Sequence, residues 1–297
     1  MKKPNFAIVG AAKAGTTSLY HYLDRHPQIY MCPNKEPRFF ALENEKLDFQ
    51  GPAQQINHTS VTTWETYSQL FAGVTDELAI GEASTLYLSS PKAPARIKHY
   101  LPNVKLIAIL RDPAARAFSS YVHLVRDGYE TLSFEAALEA EKERIKARWQ
   151  PLWYYQQRGF YYQQLKRYFD IFASEQIQVY LFKDLVREPT KVFRDITSFL
   201  EVDDSFIPEL TQENVSGIPK SRALQNLFMK KNPIKSVFKP FFPQWMRDKI
   251  RQDVLKRNLG AKPSLLPETR QKLIALYRED ILQLQELIGR DLTSWLR

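Results

Sequence analysis

The sequence of 297 residues contains a single cysteine, Cys32, so no disulfide bond can form within the chain. It has no run of about 18 apolar residues, so no membrane-spanning helix is expected. The N-terminus lacks the apolar stretch and the small-residue cleavage site of a signal peptide. No group of His, Cys, Asp and Glu residues has the spacing of a metal site. We therefore expect a cytoplasmic protein that needs no metal.

Positive charge is concentrated in one part of the chain. The net charge is +9, and the segment 220–262 alone carries twelve Lys or Arg residues against two Asp. This segment favours an anionic ligand, an anionic acceptor or peripheral contact with a membrane surface, although a solvated helical face has the same composition. Nucleic acid is a poorer partner, because no helix-turn-helix, zinc-finger or RNA-recognition motif accompanies the charge.

Strand-like and helix-like segments alternate along the chain. Buried apolar runs predict strands at 6–9, 104–110 and 177–182. Amphipathic patterns predict helices at 16–23, 134–146, 161–172, 189–200 and 268–287, and Asp112-Pro113 is expected to cap and begin another. This alternation predicts an α/β fold with a central parallel sheet flanked by helices. No break in composition marks a second domain, so a single domain over 1–297 is expected.

A loop of small residues, Gly10-Ala-Ala-Lys-Ala-Gly-Thr-Thr-Ser18, joins the first predicted strand to the first predicted helix. Glycines let the backbone approach an anion, and the helix N-terminus adds positive potential, so the loop is typical of a phosphate site. A Walker A loop needs its lysine directly after the second glycine. Here Thr16 holds that place and the lysine lies ahead of the glycine, at Lys13. The loop therefore departs from the ATPase pattern, and a purely structural turn is the alternative.

The order Lys-Ala-Gly-Thr-Thr-Ser after a buried strand resembles the 5′-phosphosulfate loop of the sulfotransferases, which use 3′-phosphoadenosine 5′-phosphosulfate (PAPS) as sulfuryl donor. The resemblance implies that Lys13 neutralises the charge that develops on the leaving 5′-phosphate. It also implies a set of residues that hold this phosphate with backbone N–H groups and hydroxyls: Lys13, Ala14, Gly15, Thr16, Thr17 and Ser18.

A strand that ends in Arg111, followed by Asp-Pro and by Ser119 eight positions after the arginine, resembles the 3′-phosphate site of the same family. An arginine at the carboxyl end of a parallel strand is well placed for a ligand, and its guanidinium can hold a phosphate with two hydrogen bonds. A buried ion pair is the alternative for Arg111. The segment 214–222 occupies the place of the family's C-terminal cofactor loop, where Lys220 or Arg222 would complete the anion pocket.

The segment Lys35-Glu-Pro-Arg-Phe-Phe40 looks like the one that carries the catalytic base in sulfotransferases related to the heparan-modifying enzymes. The resemblance makes Glu36 the base, and a carboxylate suits this role because the acceptor hydroxyl must lose its proton as the O–S bond forms. Lys35 is then a candidate for binding the acceptor. An exposed turn with an incidental Lys–Glu pair is the alternative.

The segment Gly81-Glu-Ala-Ser-Thr-Leu-Tyr87 resembles the strand-to-loop segment that lines the acceptor side in these enzymes. Glu82 is therefore the rival base or a residue that orients the acceptor, and Ser84 and Tyr87 are further acceptor-binding candidates. Histidine is the base in the cytosolic branch of the superfamily. The histidines of this chain lie in no such context and are interpreted as surface or packing residues: His21, His26, His58, His99 and His123.

Together these segments predict a PAPS-dependent sulfotransferase with a P-loop-like three-layer fold. Its reaction would move a sulfuryl group to an acceptor hydroxyl, on a saccharide or glycolipid by resemblance, and would leave adenosine 3′,5′-bisphosphate (PAP). An amine or a small alcohol is the alternative acceptor. One alternative is a nucleotide or sugar kinase, against which the displaced lysine and the lack of a clear Walker B carboxylate argue. The other is a non-catalytic anion- or membrane-binding protein that uses the segment 220–262.

Overall fold

The computed structural model describes residues 2–209, 260 and 263–297. In this part of the chain one parallel sheet is formed by the strands β1 (Phe6–Gly10), β2 (Ile29–Met31), β3 (Ala79–Ala83), β4 (Lys105–Leu110) and β5 (Ile177–Leu181). The order across the sheet is β2-β3-β1-β4-β5. Every residue of β1 and β3 is buried, as expected for central strands that are covered on both faces.

The helices that follow and cover these strands are mostly short. They are α1 (Thr16–Asp24), α2 (Phe39–Leu42), α3 (Ile56–Thr59), α4 (Trp64–Gln69), α5 (Leu86–Ser89), α6 (Ala93–Tyr100), α7 (Pro113–Arg126), α8 (Phe134–Glu139), α9 (Glu141–Lys146), α10 (Tyr161–Phe169), α11 (Phe182–Arg187), α12 (Pro189–Leu200) and α13 (Pro267–Ile288). Single turns of 3₁₀ helix lie at Pro151–Trp153, Gln157–Gly159, Ser174–Gln176 and Thr293–Leu296.

The predicted α/β fold with a central parallel sheet is confirmed. The three strands expected from apolar runs become β1, β4 and β5, with ends shifted by one residue. Asp112 caps α7 as expected, because its Oδ1 accepts hydrogen bonds from the N–H groups of Ala114 and Ala115 at 2.9 and 3.0 Å. The helix predicted over 134–146 is divided at Ala140 into α8 and α9.

The sheet topology creates one crevice. Strand β1 lies between β3 and β4, so the chain moves to one side of β1 for β2 and β3 and to the other side for β4 and β5. In open α/β sheets ligands bind at such a point, beyond the carboxyl ends of the strands. Three segments leave the sheet there: the loop after β1, the residues after β3 and the residues after β4.

Candidate active site

A cleft of about 650 Å³ lies beyond the carboxyl ends of β1, β3 and β4. Its walls come from the loop after β1, from one face of α7, from α11 and from the 3₁₀ turn before α10. Within the described residues its only acidic lining residue is Glu36, whereas the basic ones are Lys13, Lys35, Arg38, Arg111, Arg126 and Arg158. The charge of this lining favours an anionic ligand.

The loop after β1 has the backbone geometry that a phosphate cradle requires. Gly15 caps α1 with φ 89°, in the left-handed region, and Lys13 has φ 67°. A β-carbon on Gly15 would lie 2.9 Å from Leu185 Cδ2 and 3.1 Å from Phe182 Cδ2, so α11 closes the loop from behind. The N–H groups of the first turn of α1 lack helical partners, and the side chains of that turn line the cleft.

Most of the residues predicted for the 5′-phosphate come together at the cleft. Its lining includes Lys13, Gly15, Thr16, Thr17 and Ser18. Ala14 does not line it: the residue is fully buried, and its N–H donates to the carbonyl of Ala11 at 3.3 Å. In a bent loop some N–H groups form hydrogen bonds within the loop, and the sequence alone does not show which ones.

Burial and, after it, the positive charge of Arg126 lower the pKa of Lys13 to about 8. Arg111 is joined to the same loop, because its Nη1 donates to the carbonyl of Lys13 at 3.0 Å. The Arg111 guanidinium also lies 4.8 Å from the ring centroid of Phe182. Ser119 lies on the cleft-facing side of α7.

Glu36 projects into the cleft from an unusual backbone, with φ 67°. Its carboxylate accepts hydrogen bonds from the Thr85 N–H at 3.1 Å and from Thr85 Oγ1 at 2.8 Å. Lys35 Nζ and Arg38 Nε each lie 3.6 Å from one of its oxygens. The side chain remains 17% exposed, so the carboxylate is held firmly and is still accessible.

Glu82, Ser84 and Tyr87 do not line the cleft, because β3 is covered on both faces and these side chains lie in the core. Glu82 accepts hydrogen bonds from the hydroxyls of Tyr67 and Tyr87. Burial raises its pKa to about 7, although these hydrogen bonds oppose the change. Ser84 Oγ accepts a hydrogen bond from the Arg38 N–H at 2.9 Å. The three residues therefore support the wall that carries Glu36.

The structure brings to the cleft residues that the sequence analysis did not select. Ser119, Val122, His123 and Arg126 share one face of α7. His123 thus lies at the cleft rather than on the surface or in packing. Arg126 Nη2 lies 2.7 Å from His123 Nδ1, and burial together with the charge of Lys13 lowers the pKa of His123 to about 4. These residues follow Ser119 at helical spacing, and this spacing is the sequence signal that identifies the face.

A model of the sulfotransferase family matches residues 4–206 of the chain. The chain belongs to the sulfotransferase family. This sulfotransferase is 36% identical to a solved sulfotransferase from Alicyclobacillus acidocaldarius, with a TM-score of 0.79 and full coverage of both chains. At 14% identity, the mouse sulfotransferase SULT7A1 in complex with PAP shares the fold, with a TM-score of 0.51 over 97% of this chain and 88% of that one.

Among curated proteins the sulfotransferase is similar to larger ones. It is 25% identical to the human bifunctional heparan sulfate N-deacetylase/N-sulfotransferase 3, over 99% of this chain and 31% of that protein. It is 31% identical to the membrane-associated sulfotransferase kil1 of Dictyostelium discoideum, over 40% of this chain and 22% of that protein. The chain thus spans about a third or less of the length of these relatives.

Three further observations concern the basic segment 220–262, membrane-spanning helices and metal sites. Lys220, Arg222 and the rest of the segment 220–262, apart from Gly260, lie outside the described residues. Of the helices in the described ranges, none combines the length and the apolar character needed to cross a bilayer. Across 2–209, 260 and 263–297, no three His, Cys, Asp or Glu residues are grouped as metal ligands would be.

Proposed function

We propose that this sulfotransferase moves a sulfuryl group from PAPS to a hydroxyl of an acceptor, on a saccharide or glycolipid. The observation that carries the proposal is that Lys13, Arg111 and Glu36 line one cleft, with Arg111 hydrogen-bonded to the Lys13 carbonyl. Similarity to a heparan sulfate N-sulfotransferase supports a glycan acceptor, and the complex of a structural relative with PAP supports the donor.

The residues present fit such a donor. The first turn of α1 offers N–H groups and the hydroxyls of Thr16, Thr17 and Ser18 for the 5′-phosphate. Arg111 and Ser119 would hold the 3′-phosphate, with Lys220 or Arg222 added from the segment that is not described. PAPS, when bound, supplies the activated sulfuryl group. Sulfuryl transfer resembles phosphoryl transfer, so positioning and charge stabilisation are the main tasks of the protein.

The roles of the side chains follow from their surroundings. Glu36 takes the proton of the acceptor hydroxyl as the acceptor oxygen forms its bond to sulfur, and Thr85 fixes the carboxylate for this transfer. Lys13 stabilises the charge that the 5′-phosphate oxygen gains as its bond to sulfur breaks. With a pKa of about 8, Lys13 is mostly charged at pH 7. His123 is a weaker candidate for the base, because Arg126 lies against its Nδ1.

The test has two steps. Thermal unfolding of the full chain is measured with PAP and with ATP plus magnesium, and only PAP should raise the melting temperature at micromolar concentration. Sulfate labelled in the donor is then followed into an extract of cell glycans and lipids. Stabilisation by ATP and magnesium without stabilisation by PAP would overturn the proposal and favour a kinase.

We also propose a cytoplasmic location. The single domain expected over 1–297 stays a prediction.

A further inference from the structure

Arg158 is a buried cation that lines the cleft and forms no ion pair among the described residues. It lies in the 3₁₀ turn Gln157–Gly159 and is 7% exposed. Its Nη2 donates to the carbonyl of Thr85 at 2.8 Å. In the described part of the chain no carboxylate lies within ion-pair distance of it, and its other N–H groups have no protein acceptor there. The guanidinium therefore has donors left for a ligand.

Burial of the Arg158 charge without an ion pair destabilises the protein unless a bound anion compensates the charge. Burying a charge is unfavourable unless it is paired and hydrogen-bonded. The protein does pair another buried arginine, since Arg144 contacts Glu130 at 2.6 and 3.0 Å. Near Arg158, by contrast, lies a second cation, Arg116, which is 1% exposed. Burial and the charge of Arg116 lower the pKa of Arg158 to about 10 against the smaller opposing effect of Glu36, so Arg158 still carries its charge at neutral pH.

Thr85 places Arg158 beside the base. Its carbonyl accepts the hydrogen bond from Arg158, while its N–H and hydroxyl donate to Glu36. Lys13 and Arg111 are instead joined to each other at the phosphate loop. An anionic group that reaches from the phosphate loop to the base would thus find Lys13 at the loop and Arg158 at the base.

We propose that Arg158 binds the sulfonate oxygens of PAPS, the group that is transferred. This inference rests on the proposed function. A guanidinium suits the role, because its planar donors can hold two oxygens of one oxyanion. An anionic group of the acceptor has the same chemistry and is the other source of such oxygens. PAPS and PAP differ only in the sulfuryl group, so their comparison isolates the contact without any knowledge of the acceptor.

The experiment is isothermal titration calorimetry of the full chain with PAPS and, separately, with PAP, in the absence of acceptor. The variants are Arg158→Gln and, as a control, Arg96→Gln, which loses ion pairs with Glu43 and Glu45 outside the cleft. Arg158→Gln should weaken PAPS binding by about tenfold to a hundredfold, the loss typical of a hydrogen bond to a charged group. Its affinity for PAP should stay within twofold of the wild type, and Arg96→Gln should change neither affinity.

Each other outcome overturns the assignment. Equal losses for PAPS and PAP would place Arg158 at the bisphosphate or show a deformed cleft. Unchanged affinities with a raised KM for the acceptor would assign Arg158 to an anion of the acceptor. If Arg158→Gln does not fold, Arg158→Lys must still weaken PAPS binding at least threefold and leave PAP binding unchanged. A wild type that binds neither nucleotide would instead contradict the proposed function.

Discussion

Replacing Lys13 with methionine is expected to make the folded protein more stable and at the same time inactive. Methionine keeps the length and the unbranched stem of lysine and removes the charge. The Lys13 ammonium is shielded from water and lies near the cations Arg126, Arg111 and Lys35, and all of these lower its pKa. The same features that prepare Lys13 for an anionic ligand therefore destabilise the protein without one.

The magnitude follows from the pKa of Lys13. A fall from 10.5 to about 8 corresponds to about 3 kcal/mol of lost stability when the residue is charged in both folded and unfolded chains. Solvent in the open cleft screens part of this cost, so we expect Lys13→Met to gain about 1–3 kcal/mol at pH 7. Between pH 8 and 10.5 the folded chain loses the proton while the unfolded chain keeps it. The stability of the wild type should therefore rise toward that of the variant over this range.

The assay is urea unfolding of both proteins at pH values from 6.5 to 9.5, without ligand. Lys146→Met serves as a control, because the Lys146 side chain is 73% exposed and its ion pair with Glu143 lies at the surface, so its loss should change stability by less than about 0.5 kcal/mol. Thermal unfolding with PAP should show a smaller stabilisation of Lys13→Met than of the wild type. A variant that is less stable than the wild type at pH 7, or a gain that does not shrink as the pH rises, would refute the reasoning.

The remaining predictions test the base, the loop and the core carboxyl. Glu36→Gln keeps the size of the side chain and should lower turnover by about a hundredfold or more while PAP affinity stays within twofold, measured by labelled transfer and calorimetry. Gly15→Ala places a β-carbon 2.9 Å from Leu185 Cδ2 at φ 89°. It should cost about 2–4 kcal/mol in urea unfolding and weaken PAP binding. Because the raised pKa of Glu82 means that folding binds a proton, the wild type should lose stability from pH 4.5 to 7, and Glu82→Gln should remove this dependence and keep activity.

The donor side of the cleft could be predicted from the sequence because its groups lie in short contiguous segments. The loop around Lys13 follows one buried strand, and Arg111 directly follows another, so the parallel sheet itself brings them together. The spacing from Arg111 to Ser119 then carries the pattern onto α7. A residue that directly follows a parallel strand in sequence also lies at the ligand-binding edge of the sheet, so its position in the fold can be predicted.

The other wall of the cleft could be predicted only in part: the contiguous segment 35–40 indicated Lys35 and Glu36, whereas Glu82, Ser84 and Tyr87 lie in the core. Alternation along a strand tells which side chains face solvent only when one face is exposed, and β3 is buried on both faces. Glu82 and Thr85 are therefore neighbours in sequence with different surroundings: one lies in the core and the other holds Glu36. Arg158 is 73 residues from Thr85, and only the packed fold shows that they meet.

Two local misjudgements have similar causes. The strand β2 has three residues, Ile29–Met31, too few for any period to be recognised. The helix predicted over 134–146 contains neither proline nor glycine, yet it is divided at Ala140. There Glu141, which is buried, accepts hydrogen bonds from the N–H groups of Gln156 and Gln157 at 2.7 and 2.8 Å. A contact with a distant segment thus decides where the helix is divided, against the local propensity of the residues.

The positive charges of the cleft lower the stability of the unliganded protein and favour the binding of an anion. Among the described residues the cleft has six basic lining residues and one acidic one, and Glu36 is already within 3.6 Å of Lys35 and Arg38. Burial and neighbouring cations lower the pKa values of Lys13 and Arg158, and the opposing effects of Asp127 on Lys13 and of Glu36 on Arg158 are smaller. An anionic nucleotide reverses this balance, because it supplies the charges that the protein lacks. Binding of the nucleotide should therefore raise the pKa of Lys13, so the complex should take up a proton near pH 8. The unpaired charges of the cleft lower the stability of the protein without ligand, and pairing them with the nucleotide contributes to the binding affinity.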